Sequence, residues 1–144
     1  MIAIVFVAGI ATSCKSNDSK SESTEELVER VWQFSLSHPE GFTIDIRTME
    51  ESTEGIAVSY AATQGCHSRD SLKFVITHAL EHDGYVGGWL DSESGFYYFD
   101  STKLFPEDQM EEALKFAYEN GQLAIFILST GEEIRLDKMR MAAW

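Results

Sequence analysis

The chain has 144 residues and carries 24 acidic against 11 basic side chains, a formal net charge of −13. Such a field repels nucleic acid and anionic membrane surfaces, which excludes both as partners and favours basic proteins, cations or plain solubility. Nine Phe, five Tyr and three Trp supply enough apolar bulk for one packed core, so disorder is excluded over most of the length.

Residues 2–13 hold no charge, and Cys14 closes the run. Twelve apolar positions are too short to span about 30 Å of hydrocarbon as a helix, but they suit the apolar region of a secretory signal. Residues 15–22 (KSNDSKSE) contain no apolar side chain, the composition of a flexible tether. The segment Ala11-Thr12-Ser13-Cys14 resembles a bacterial lipobox. That resemblance implies a signal peptide over 1–13, cleavage, and lipidation at Cys14. It places the mature chain on the bacterial cell envelope, on the outer membrane or periplasmic face of a Gram-negative cell, with lipid as its membrane anchor. Cys66 is then the other cysteine of the sequence. With no disulfide framework between them, core packing must hold the fold.

From Ser23 the pattern becomes regular. Ser23-Thr24-Glu25-Glu26 is a capping box, and Leu27, Val28, Val31, Phe34 and Leu36 follow at helical spacing until His38-Pro39-Glu40-Gly41 stops the run. Two strands are predicted next, over 42–47 and 55–61, joined by the acidic stretch 50–54. A second helix starts at the N-cap Ser68 and carries the stripe Leu72, Val75, Ile76, Ala79 and Leu80 up to Asp83-Gly84. Residues 85–90 and 96–100 read as a hairpin, with Gly95 supplying a positive φ in its loop. A third helix is predicted with Pro106 at N1, the stripe Met110, Ala113, Leu114 and Ala117, and Asn120-Gly121 as its C-cap. The run 123–128 is continuously apolar and is expected to be the most buried strand. Thr130-Gly131 turns it into a last strand over 133–136, and a tail over 137–144 contains Met139, Met141 and Trp144.

The chain thus reads helix–strand–strand three times. The expected fold is α+β, one mainly antiparallel sheet with three helices, built as a single domain over 23–136 behind a tether at 14–22.

Three constellations bear on chemistry. His78-Ala79-Leu80-Glu81-His82 matches H-x-x-E-H, in which two histidines at i and i+4 share a helix face and can hold one Zn²⁺. It resembles the inverzincin motif, which implies a third carboxylate ligand from a later helix; the acids of 107–119 show no matching motif. Thr63-Gln64-Gly65-Cys66-His67-Ser68 places a cysteine just before a helix start, where the dipole favours a thiolate. It is similar to the cysteine segment of papain-like enzymes, which implies a histidine on a later strand, and no histidine follows His82. The alternative to either chemistry is structural: a solvent-facing histidine pair and a half-buried loop cysteine.

The third constellation is Gly87-Gly88-Trp89 inside a predicted strand, beside Phe96, Tyr97, Tyr98 and Phe99. Glycine weakens a strand unless something approaches its backbone closely, and one face of an aromatic hairpin must lie away from the core. Gly87, Gly88, Trp89, Tyr97 and Tyr98 are therefore the candidate binding residues. The stretch 87–136 is also similar to small domains of gut-type bacterial proteins, a resemblance to which no activity attaches. Two functions fit. One is a lipid-anchored binding module of inhibitor or immunity type for a basic protein partner. The other is a small envelope hydrolase dependent on Cys66 or on a metal at His78 and His82. The first requires no cofactor and no catalytic constellation, and it is the reading preferred from sequence.

Overall fold

A computed structural model describes residues 21–137. Cys14, the signal segment 1–13, most of the tether and the tail 138–144 lie outside the described residues. Among the described residues there are three α-helices: α1 (Thr24–Leu36), α2 (Arg69–Glu81) and α3 (Met110–Glu119). Seven strands complete the domain: β1 (Phe42–Asp45), β2 (Glu50–Glu51), β3 (Ile56–Ser59), β4 (Tyr85–Leu90), β5 (Tyr97–Phe105), β6 (Ala124–Ile127) and β7 (Glu132–Arg135). They form one sheet of order β2-β1-β4-β5-β3-β6-β7 in which every pairing is antiparallel. The α+β class and the threefold helix–strand–strand order are as expected; the short β2, inside the acidic link, is additional.

Helix starts follow the local code. Ser23 and Glu26 close the capping box of α1, and Ser68 with Ser71 does the same for α2. At the third helix the expectation needs correction. Pro106 opens a separate turn, its carbonyl accepting from the Gln109 amide at 2.9 Å, and α3 begins only at Met110.

All three helices lie on one side of the sheet. Leu27, Val28 and Val31 of α1, and Leu72, Val75, Ile76 and Ala79 of α2, pack on Phe42, Ile44, Ile46, Val86 and Phe99. A second cluster places Ala113 and Ala117 of α3 on Ile56, Val58, Phe105 and Ile125. Ion pairs from Arg69 to Glu29 and from Lys73 to Glu25 tie α2 to α1 along their exposed edges.

The apolar run 123–128 is not the most buried strand. Leu123 is 63% and Phe126 43% exposed, and only Ile125 is fully buried. The run sits next to the edge strand β7, so one of its faces packs on α3 while no described helix covers the other. Continuous burial belongs to β1 and β3.

Candidate functional site

β4 and β5 form the centre of the sheet, with Gly87 opposite Asp100, Gly88 opposite Phe99, Trp89 opposite Tyr98 and Leu90 opposite Tyr97. Alternation sorts these residues between two faces. Val86, Gly88, Tyr97, Phe99 and Ser101 turn toward the helices. Tyr85, Gly87, Trp89, Tyr98, Asp100 and Thr102 turn to the other side, called here the open face.

The predicted binding residues are divided by this alternation. Gly88 is buried, and a Cβ built there would lie 2.6 Å from the Phe42 ring and 2.8 Å from that of Tyr97. Those two rings stack across the bare backbone, and the Tyr97 hydroxyl donates to the carbonyl of His38 at 2.7 Å. Gly88 and Tyr97 therefore serve packing. Gly87, Trp89 and Tyr98 stay on the open face.

There the side chains form a connected aromatic surface. Trp89 stacks on Tyr98 with ring centroids 5.0 Å apart, and Phe96 stacks on His67 at 4.3 Å. His67 also meets the Tyr98 ring edge-on at 5.6 Å, so four rings touch in a chain. Trp89 and Phe96 are about half exposed, at 45% and 49%. The Trp89 indole Nε1 donates to Asp100 Oδ2 at 3.2 Å, and the Ser59 hydroxyl donates to the same carboxylate. Burial in this setting pushes the Asp100 carboxyl up to about 6, against the two hydrogen bonds that favour its charged form.

His67 reaches this surface because the segment after β3 runs alongside β5. Tyr60 donates its amide to the Ser101 carbonyl at 2.9 Å, Ser101 donates to Thr63 Oγ1 at 2.9 Å, and Phe99 donates to the Cys66 carbonyl at 2.8 Å. Residues 60–66 thereby cover the edge of β5 beyond the reach of the shorter β3. Sequence patterning missed Asp100, although it follows Tyr98 at strand spacing and so shares its face. The arrival of His67 had no local signal.

Cys66 lies in this crossing segment, half-buried against the α1–α2 core. Burial pushes its thiol up, Asp100 adds to the effect, and a hydrogen bond with the Ser71 hydroxyl opposes it. This direction is opposite to that of an activated nucleophile. Among the described residues no hydrogen bond joins Cys66 to a histidine.

The His78–His82 pair lies at the other side of the sheet, on the last turns of α2. The two rings stack at 3.8 Å, and Tyr60 packs against both. His78 Nδ1 is 2.8 Å from the buried Ser101 hydroxyl, and His82 Nδ1 is 2.7 Å from the His78 carbonyl. Burial lowers the His78 pKa, and the neighbouring His82 lowers it further. Tyr60 donates its hydroxyl to Asp83. Among the described residues, no cluster of three or more His, Cys, Asp or Glu side chains is placed to hold a metal ion, so the structure gives the pair no third ligand. No described helix is long and apolar enough to cross a membrane.

Compared with family models, curated proteins and solved structures, the chain finds no match.

Proposed function

We propose that this chain is a binding module of the bacterial cell envelope, anchored by lipid at Cys14, that holds a basic protein partner in the manner of an inhibitor or immunity protein. The observation that carries the reading is the four-ring surface of Trp89, Tyr98, Phe96 and His67 on the open face, with Asp100 hydrogen-bonded at its Trp89 end. Exposed aromatics of this kind anchor protein interfaces, because they desolvate a large area at small entropic cost. The net charge of −13 supports a basic partner, and it belongs wholly to the chain after the apolar segment, since residues 1–13 carry no charge. Long-range attraction then sets the rate of encounter, and the rings set the lifetime of the complex.

Capture from detergent-solubilised envelopes with the full-length chain tests both parts. The expected partner is basic, associates more slowly as salt rises, and leaves faster from Trp89→Ala than from the wild type. An acidic partner, or association indifferent to salt, overturns the reading. The anchor is tested separately by detergent phase partition. The wild type should enter the detergent phase and Cys14→Ser should stay in the aqueous phase; an aqueous wild type removes the anchor from the proposal.

A further inference from the structure

We infer that the Asp100 carboxylate, opposite Gly87 and beside the exposed Trp89, is the counter-ion of a seat for an arginine side chain of the basic partner, with the Trp89–Tyr98 ring pair as its wall. The inference rests on the binding-module reading and names the chemistry by which that surface selects its partner.

Shape comes first. On the open face, one cross-strand row runs Thr43, Gly87, Asp100. Gly87 has no side chain, so the carboxylate has no neighbour across its own row. A Cβ built on Gly87 would touch the Thr102 hydroxyl at 3.0 Å and then only backbone, Phe42 O at 3.8 Å and Asp100 O at 4.0 Å. Thr43 and Thr102, which flank Gly87 on this face, are buried, so the carboxylate is approached from the side of the exposed Trp89. The adjacent glycine takes no part, because Gly88 is roofed by aromatic rings on the opposite face.

Charge comes second. Asp100 is half-buried, and the donors that reach it, the Trp89 indole and the Ser59 hydroxyl, are both neutral. Among the described residues no Lys, Arg or His forms an ion pair with it. An ionised carboxylate offers about four acceptor positions, and two donors leave room for a forked pair. A half-buried acid without a counter-ion works against folding at neutral pH, so its place beside the exposed Trp89 is intelligible as a site that a ligand cation completes.

Ring chemistry comes third. A guanidinium is planar, donates two parallel hydrogen bonds to a carboxylate, and lies flat against an aromatic face while doing so. Trp89 supplies that face, fixed in place by its stacking on Tyr98 and by its own bond to Asp100. An ammonium group fills the charge requirement but not the fork or the stack, so the site favours Arg over Lys.

The test uses the full-length chain in non-ionic detergent and a labelled, end-blocked peptide alternating Gly and Arg, read by fluorescence anisotropy at low salt. Parallel peptides carry Lys, or citrulline, the neutral isostere of Arg. The arginine peptide should bind, the lysine peptide should bind more weakly, and the citrulline peptide should not bind measurably. Asp100→Asn should weaken the arginine peptide by at least about tenfold, as loss of one partner of a desolvated charge pair does. Glu112→Gln, an equal charge change on exposed α3, should weaken it less than about twofold, through the general field alone. Thermal melts distinguish misfolding from a lost site, since Asp100→Asn should melt no lower than the wild type. If both variants bind the arginine peptide equally, the seat is disproved while the acidic-surface reading stands. Equal binding of the lysine and arginine peptides disproves the guanidinium assignment. If the wild type binds neither cationic peptide, both the seat and the basic-partner reading fall.

Discussion

Gly87 and Gly88 are identical neighbours in the chain, and the sheet assigns them opposite work. At Gly88 the rings of Phe42 and Tyr97 occupy the space that a Cβ would need, whereas at Gly87 a Cβ would meet the Thr102 hydroxyl and otherwise only backbone within 4 Å. The same division runs through the partner strand, where Phe99 is fully buried under the helices and its neighbours Tyr98 and Asp100 lie on the open face. One side of the hairpin is optimised for burial. The other keeps aromatic area and a carboxylate where burial by the chain's own helices does not reach. The lesson is that a glycine pair inside a strand is two separate questions, one for each face.

The contrast breaks most visibly at adjacent aromatics. Phe99→Ala should destabilise the domain by about 4 kcal/mol, the range for emptying a fully buried Phe site, while Tyr98→Ala should cost about 1 kcal/mol. Urea unfolding of both variants checks this, and equal costs would mean that the open face is core as well.

The glycines come next. Gly88→Ala should cost about 2 kcal/mol, because its methyl group must displace two packed rings. Gly87→Ala should fall within about 1 kcal/mol of the wild type, since only the Thr102 hydroxyl must yield and Ala restricts the unfolded chain more than Gly does. Comparison of urea midpoints at unchanged slope separates the two.

The electrostatic effect has the opposite sign. Asp100 has a folded-state pKa of about 6 against an ordinary value of 3.8. Between those values the folded state holds the proton more tightly than the unfolded state. The contribution of this group to stability is therefore greatest below about pH 4, declines as pH rises through about 6, and stays low above that. Asp100→Asn should remove this decline and raise stability near pH 7.5 by about 1–2 kcal/mol, allowing for partial solvent screening. Cys66 is the other titratable group coupled to Asp100, and its raised thiol pKa keeps it neutral across this window. Melts of both proteins from pH 4 to 8 decide the matter; a wild type that gains stability between pH 4 and 6, relative to Asp100→Asn, contradicts it.

Much of the architecture was legible in the residues. Caps at Ser23 and Ser68, stripes such as Leu72, Val75, Ile76 and Ala79, and the terminator Asn120-Gly121 each express a local rule, and α1, α2 and α3 follow them. Pro106 shows the limit of such rules, because a turn and a first helical residue accept the same proline. The run 123–128 shows another. Apolarity states that a strand prefers burial, but burial depends on whether a neighbouring element covers both faces, and β6 lies beside an edge.

The candidate site divides in the same way. The spacing of Trp89, Tyr98 and Asp100 could be read directly, since period-two alternation puts Tyr98 and Asp100 on one face. Which face the helices would take could not, and so Tyr97 and Gly88 stood beside Trp89 as equals. Strand order was also beyond the sequence. β1 and β3 follow each other in the chain, yet the β4–β5 hairpin is inserted between them, and the loop over 60–66 then carries His67 to the aromatic surface. The sequence by itself determined the helices, the strand propensities, the acidic charge and the lipobox-like segment, because each depends on residues close together in the chain. Tertiary structure alone decided which side of the hairpin is covered and what assembles around Asp100, because those depend on contacts between segments that no local pattern encodes.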